Sequence, residues 1–196
     1  MKASFMRRFS AYVIDIMIVG ALILLFNHFI IPENNNISVL NQELNDLNER
    51  IIQKEITFSS YVIHLSEIIH NLDEERIMTY IINAILIITY FAIIPYFKDG
   101  KTLGNYIVGI RIIREDREYL SLNNLLIRNM IINGLGYLLT SLVFVYLLPS
   151  FSYFIVVSIF GVIQIILVIV SVFMVIYRRD KRGLQDILSK TRVIID

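Results

Sequence analysis

The feature that most constrains this chain is a set of four long apolar stretches, Phe9–Ile31, Ile77–Phe97, Leu125–Leu148 and Phe151–Tyr177. A helix needs about 20 predominantly apolar residues to cross the roughly 30 Å hydrocarbon core of a bilayer. Each stretch is long enough. The third is the least clean, because Arg128, Asn129 and Asn133 fall in its first turns. Leu148-Pro149-Ser150-Phe151 joins the last two as a tight turn around a helix breaker. With 196 residues, 56% of them hydrophobic and 18% charged, and a mean hydropathy of +0.66, the chain has too little interior to hide its apolar surface. The expected fold is an all-α polytopic membrane protein with four transmembrane helices. Tyr12, Tyr96, Tyr146, Tyr153 and Tyr177 lie near segment ends, where amphipathic rings favour the interface. The first stretch is too long for a signal-peptide core, and no small-x-small site closes it, so it is expected to stay as the first helix.

Charge predicts the orientation. Fifteen of the 18 basic residues fall in three regions: the N-terminal arm, the loop at 98–124 with Arg128, and the tail at 178–196. The segment from Pro32 to Arg76 holds only Arg50, Lys54 and Arg76, against nine acids. The positive-inside rule places the three basic regions and both termini in the cytoplasm, and residues 32–76 outside, in a bacterial cell membrane. The basic stretch Arg178–Arg182 either enforces this topology or also touches anionic lipid headgroups.

The outer segment has structure of its own. Ile37, Leu40, Leu44, Leu47 and Ile51 recur at 3-4 spacing, a coiled-coil-like seam preceded by the turn and cap residues Asn34, Asn35 and Asn36. After Thr57–Ser60 a second stripe follows at Tyr61, Leu65, Ile68 or Ile69, and Leu72. An antiparallel helical hairpin is expected, either packing on itself or offering a docking or dimer surface. In the loop at 98–124, Pro95 and Asp99-Gly100 are expected to end the second membrane helix. Leu103, Tyr106, Ile107 and Ile110 share one face of a short interfacial helix. Ile110–Ile113 and Tyr119–Leu122 flank the charged turn Arg114–Glu118 as a small hairpin, to which Val193–Ile195 adds a third strand.

Asp15 is the one acid inside a predicted span. An ionised Asp at a helix centre costs about 2.5–3.5 kcal/mol on insertion scales, so it needs a partner or a water path. Arg8 lies two turns earlier on the same face, roughly 10 Å along the axis. Arg8 or Arg128 could reach Asp15 by snorkelling. Such a pair either locks helices or serves as a titratable cation or proton site. Asn129 and Asn133, four apart beside Arg128, rank first among polar membrane residues that could support a pathway rather than bond helices together.

Three blocks carry a resemblance. Arg8-Phe9-Ser10-Ala11-Tyr12-Val13-Ile14-Asp15 resembles the R-x-x-A-x-x-(I/L)-D opening of RDD-family membrane domains. Asp99-Gly100-Lys101-Thr102-Leu103-Gly104 resembles that family's G-x-T-L-G segment, and Arg182-Gly183-Leu184-Gln185-Asp186 through Thr191 resembles its R-G-L-H-D-x-x-x-x-T tail. The resemblance implies that Arg8, Asp15 and Asp186 are the residues for which the family is named, with Arg182 beside them. It also implies a cation/proton antiport activity, proposed for some members. Gln185 stands where the family usually has His and cannot titrate. The insert at 32–76 is longer than the family's first loop is expected to be.

Other chemistry is not supported by the sequence. Gly100-Lys101-Thr102 looks like the end of a phosphate-binding loop, but the first glycine of that motif would fall at Pro95, after a helix rather than a strand. His28, His64 and His70 lack metal-ligand spacing, there are no cysteines, and no nucleophile–base set occurs. No catalytic residue, metal, cofactor or nucleic-acid partner is expected. Two functions remain: a cation/proton transporter or transporter subunit, acting as a homo-oligomer, and a non-enzymatic scaffold, immunity factor or accessory subunit working through the outer hairpin on a membrane or extracytoplasmic protein partner.

Overall fold

A computed structural model describes residues 2–30, 35–116 and 119–196. Parts of several expectations, the end of the first span, the cap at Asn34 and the tip of the turn at Arg117–Glu118, lie outside the described residues. Among the described residues three helices are long and apolar enough to cross a membrane: α1 (Phe5–Ile30), the continuous rod Ile77–Phe97 and α9 (Ser150–Tyr177). Their flanks are hydrocarbon-like. On α9, Ile159, Val162, Ile163 and Ile166 are all exposed, which in water would be untenable at this density.

The rod Ile77–Phe97 is α4 (Ile77–Ile88), a π-helical turn (Thr89–Ile93) and α5 (Ile94–Phe97). Pro95 does not end the helix, as expected from sequence; it sits in the last turn, with the π turn directly before it. Proline has no amide for the carbonyl four residues back and its ring crowds that carbonyl, so the preceding turn widens. The carbonyl concerned, Phe91 O, receives a hydrogen bond from Asn129 Nδ2 at 3.0 Å instead.

The third apolar stretch departs from a straight helix. It starts earlier, at Leu122, and breaks into α7 (Leu122–Ile132) and α8 (Leu135–Leu147), bent by 82°. Asn133 closes α7, and Gly134 takes a left-handed φ of 67° that an L side chain rarely adopts, so the chain turns there. If the bent pair counts as one span, the candidates number four.

The hairpin expected between the first two spans is present as α2 (Asn35–Ile52) and α3 (Phe58–Glu75). Leu47, Ile68 and Leu72 are buried in its seam, with Ile37, Leu40, Leu44, Tyr61 and Leu65 packed around them. Thr57 caps α3 through the Ser60 amide, and Tyr61 donates to Asn48 Oδ1 at 2.8 Å near the turn. One side of α3 continues onto the bundle. Tyr80 and Tyr153 both donate to the Asp73 carboxylate, and the His70 ring meets Val145 O at 2.8 Å.

At the opposite end of the bundle, which we call the base, both termini meet. The short helix α6 (Leu103–Val108) lies against α1, and Gly109, left-handed at φ 69°, leads into β1 (Ile110–Arg114). β1 pairs antiparallel with β2 (Thr191–Ile195), from Ile110 opposite Ile195 to Arg114 opposite Thr191. Lys2 bridges to Ile194 from the other side. The tail strand Val193–Ile195 lies beside β1, as expected, but Tyr119–Leu122 is not a strand. Ser121 is the N-cap of α7, accepting from the Asn124 amide while Asn124 Oδ1 accepts from the Ser121 amide, so this stretch starts a helix. Ala3, Ala11, Ala92, Ile110, Ile112, Leu125 and Val193 form the core of the base.

Candidate functional site

The base encloses a cavity of about 220 Å³ between α1, α7, α9, the π turn and the sheet. Arg8, Asp15, Arg128, Asn129, Asn133 and Gln185 all line it. The remaining wall is chiefly apolar, from Phe5 and Phe9 on α1 to Val168, Val172 and Val175 on α9. Residues as far apart in sequence as Arg8 and Gln185 thus share one chamber.

Asp15 is buried on the α1 wall. Its Oδ1 accepts from the Tyr90 hydroxyl at 2.6 Å and the Gly104 amide at 2.7 Å, and its Oδ2 from the Thr102 hydroxyl at 2.6 Å. Each donor comes from a different local device. Tyr90 is turned inward by the π turn. Thr102 is the N-cap of α6, its oxygen accepting from the Asn105 amide while its hydrogen goes to Asp15. Gly104 lies in the first turn of α6, where amides lack helical partners. It must be glycine, because a Cβ there would collide with the Ala11 carbonyl and stand 2.7 Å from Asp15 Oδ1. Among the described residues Asp15 forms no ion pair.

This corrects the expected pairing. Arg8 and Arg128 do not reach Asp15; both turn to Asp186, which is fully buried. Arg8 Nη1 meets Asp186 Oδ2 at 2.6 Å, Arg128 Nη1 meets Oδ1, and the Gly183 amide adds a bond to Oδ2 at 3.0 Å. The tail makes the difference. After α9 the chain turns back through Gly183 into α10 (Leu184–Leu188), which packs on α7 and carries Asp186 under the start of α1. Burial alone would push the Asp186 carboxyl up, but Arg128, Arg8 and the Gly183 amide hold it below the ordinary carboxylate range.

Arg182 does not pair with the Asp186 carboxylate; its Nη2 reaches only the Asp186 backbone carbonyl, at 3.4 Å. It pairs in two-pronged fashion with Glu115 at 2.6 and 2.9 Å, fastening the turn after β1 to the tail. Gln185 is buried and accepts from the Ser171 hydroxyl of α9. Asn129 donates its amide to Phe91 O and accepts from Asn133 Nδ2 at 2.6 Å, leaving Asn133 Oδ1 a buried acceptor without a partner among the described residues. Sequence reasoning missed Tyr90 and Glu115 as site residues, and nothing local marks either. Thr102 and Gly104 were visible as part of the T-L-G block, without their role.

The fold and the cavity together define a small polytopic membrane protein with a largely apolar chamber, lined by a few buried polar and charged side chains, at the end of the bundle where its termini meet. The chain matches the model of the RDD family over residues 2–190 and belongs to that family. No curated protein and no solved structure matches it.

Proposed function

We propose that this protein is a cation/proton transporter or a transporter subunit of a bacterial cell membrane, in which Asp15 is the exchanging group. In this reading the bent pair completes a fourth span, the base with both termini lies in the cytoplasm, and the hairpin projects outside. The positive-inside asymmetry supports that orientation.

One observation carries the proposal. Asp15 sits at a cavity wall held by three neutral donors and by no cation among the described residues, because both arginines are engaged by Asp186. Neutral donors stabilise negative charge without cancelling it, so an arriving cation or proton still meets a whole carboxylate. The cavity has room for several waters at about 30 Å³ each in the liquid. Four spans make a thin wall for a complete path, which favours a homo-oligomer.

The test is flux. Purified protein in liposomes, loaded with a pH-sensitive dye, is given Na+, Li+ or K+ outside. Cation-driven proton movement in the wild type and its loss in Asp15→Asn, with the helical circular dichroism unchanged, is the expected result. Flux that survives Asp15→Asn would refute the reading.

A second reading has its own observation. The hairpin satisfies its seam internally yet still exposes Val39, Ile52, Phe58 and Ile63. That suits a non-enzymatic scaffold or accessory subunit whose partner covers the hairpin. Cross-linking from these positions in native membranes separates the two readings.

A further inference from the structure

The short helix α6 has two unlike faces. One is buried against α1, where Gly104 sits so close to Ala11 O and Asp15 that a Cβ would collide with both. This side of the segment supplies two of the three donors to Asp15, the Thr102 hydroxyl and the Gly104 amide. The other face carries Leu103, Tyr106 and Ile107, which are 51%, 72% and 65% exposed. Positions i, i+3 and i+4 share one side of a helix, so these three form a continuous apolar stripe. Ile110, expected to extend it, is instead buried at the start of β1.

Depth decides what covers the stripe. Arg7 and Arg8 are the only arginines or lysines of α1 and mark its polar end. Ala11 and Asp15, against which Gly104 sits, lie about 5 and 10 Å further along the axis at 1.5 Å per residue. Interfacial amphipathic helices bury their apolar face about 5–10 Å into the boundary between headgroups and acyl chains. The rod Ile77–Phe97 ends at the exposed rings of Tyr96 and Phe97, the residue type enriched at that level. The turn at 98–102 then leads directly into α6. The stripe therefore continues the lipid-facing flanks of two spans.

We propose that α6 is seated in the membrane interface, with Leu103, Tyr106 and Ile107 in lipid, and that the bilayer thereby holds Thr102 and Gly104 on Asp15. The partner is the host membrane at its headgroup–acyl boundary. The stripe carries no charge, so its seating is apolar and does not depend on the headgroup. One wall of the Asp15 site is then a helix whose position depends on lipid. The inference does not rest on Asp15 exchanging a cation, and its test measures no flux.

The chain contains no cysteine, so a single introduced one takes a spin label cleanly. Leu103→Cys, Tyr106→Cys and Ile107→Cys are labelled in phosphatidylcholine liposomes. Collision of each label with oxygen, which concentrates in hydrocarbon, is compared with collision with a water-soluble nickel chelate. Ile166→Cys on the exposed flank of α9 is the lipid reference, and Gln42→Cys on the exposed side of the hairpin is the water reference. All three labels should favour oxygen and stand closer to Ile166→Cys than to Gln42→Cys. The link to Asp15 is read by hydrogen exchange over residues 103–108, which include the Gly104 amide. Ile107→Asp should quicken that exchange roughly tenfold in liposomes, the effect of losing one lipid-buried isoleucine side chain. On a water-facing helix the same substitution would change little. Ile107→Ser should act in the same direction to a smaller extent, and it decides the matter if Ile107→Asp does not fold. Nickel access at Tyr106→Cys and Ile107→Cys equal to that at Gln42→Cys would overturn the proposal. So would labels shielded from both reagents, as at a contact between two copies, or exchange left unchanged by Ile107→Asp and Ile107→Ser.

Discussion

Asp186→Asn removes the one negative charge between two guanidiniums, and the structure says how much that should cost. The carboxylate is fully buried, and the Arg8 and Arg128 side chains are each only 11% exposed. Removing one partner from a buried ionic cluster costs about 3–5 kcal/mol, chiefly because the remaining charge is stranded. Asparagine keeps one oxygen to accept from one arginine, and the arginines keep slight solvent access, so about 3 kcal/mol is the expected loss. For a protein of this size each kcal/mol lowers the melting temperature by about 2–4 °C, giving a fall of about 6–12 °C. Arg8→Gln should cost less, about 1.5–3 kcal/mol for a hydrogen bond to a charged group, since Asp186 keeps Arg128 and the Gly183 amide. Replacing all three at once (Arg8→Met, Arg128→Met, Asp186→Leu) should be milder than Asp186→Asn alone, because nothing charged is left stranded. Circular dichroism melts in detergent measure the series, with Asp180→Asn at the exposed tail pair as the control. If Asp186→Asn melted within about 2 °C of the wild type, or no lower than Asp180→Asn, the argument that this cluster holds the base together would be wrong.

Two further outcomes follow from the same geometry. The folded-state pKa of Asp186 lies below its unfolded value, which is about 3.9. Its contribution to stability is therefore complete above about pH 4 and lost as pH falls through the folded value. Acid titrations of melting temperature should show that loss in the wild type and a flatter profile in Asp186→Asn. Separately, Asn129→Leu strands the Phe91 carbonyl that Pro95 cannot satisfy, at a cost of about 1–3 kcal/mol. Pro95→Ala in that background restores an amide four residues on and should recover part of the loss; an additive or worse double variant in the same melts would refute the link.

The secondary structure of this chain was legible wherever it depends on near neighbours. Run length marked the long apolar helices, and 3-4 spacing marked both helices of the hairpin, because these are local consequences of helix geometry. The bend at Asn133–Gly134 and the continuation of the rod past Pro95 were not legible. Each depends on whether a partner elsewhere satisfies the freed backbone groups, as Asn129 does by donating to Phe91 O. Nor was the pairing of charges. Arg8 and Asp15 share a helical face, so proximity along the chain argued for their union. Only the return of the tail through Gly183 brings Asp186 under α1, and a buried carboxylate that two arginines can both reach is a better counter-ion than one already held by Tyr90, Thr102 and Gly104. Sequence alone determined which residues would be costly to bury; tertiary structure decided which of them would answer one another, because desolvated charge is settled by whatever partner the fold delivers within hydrogen-bond reach.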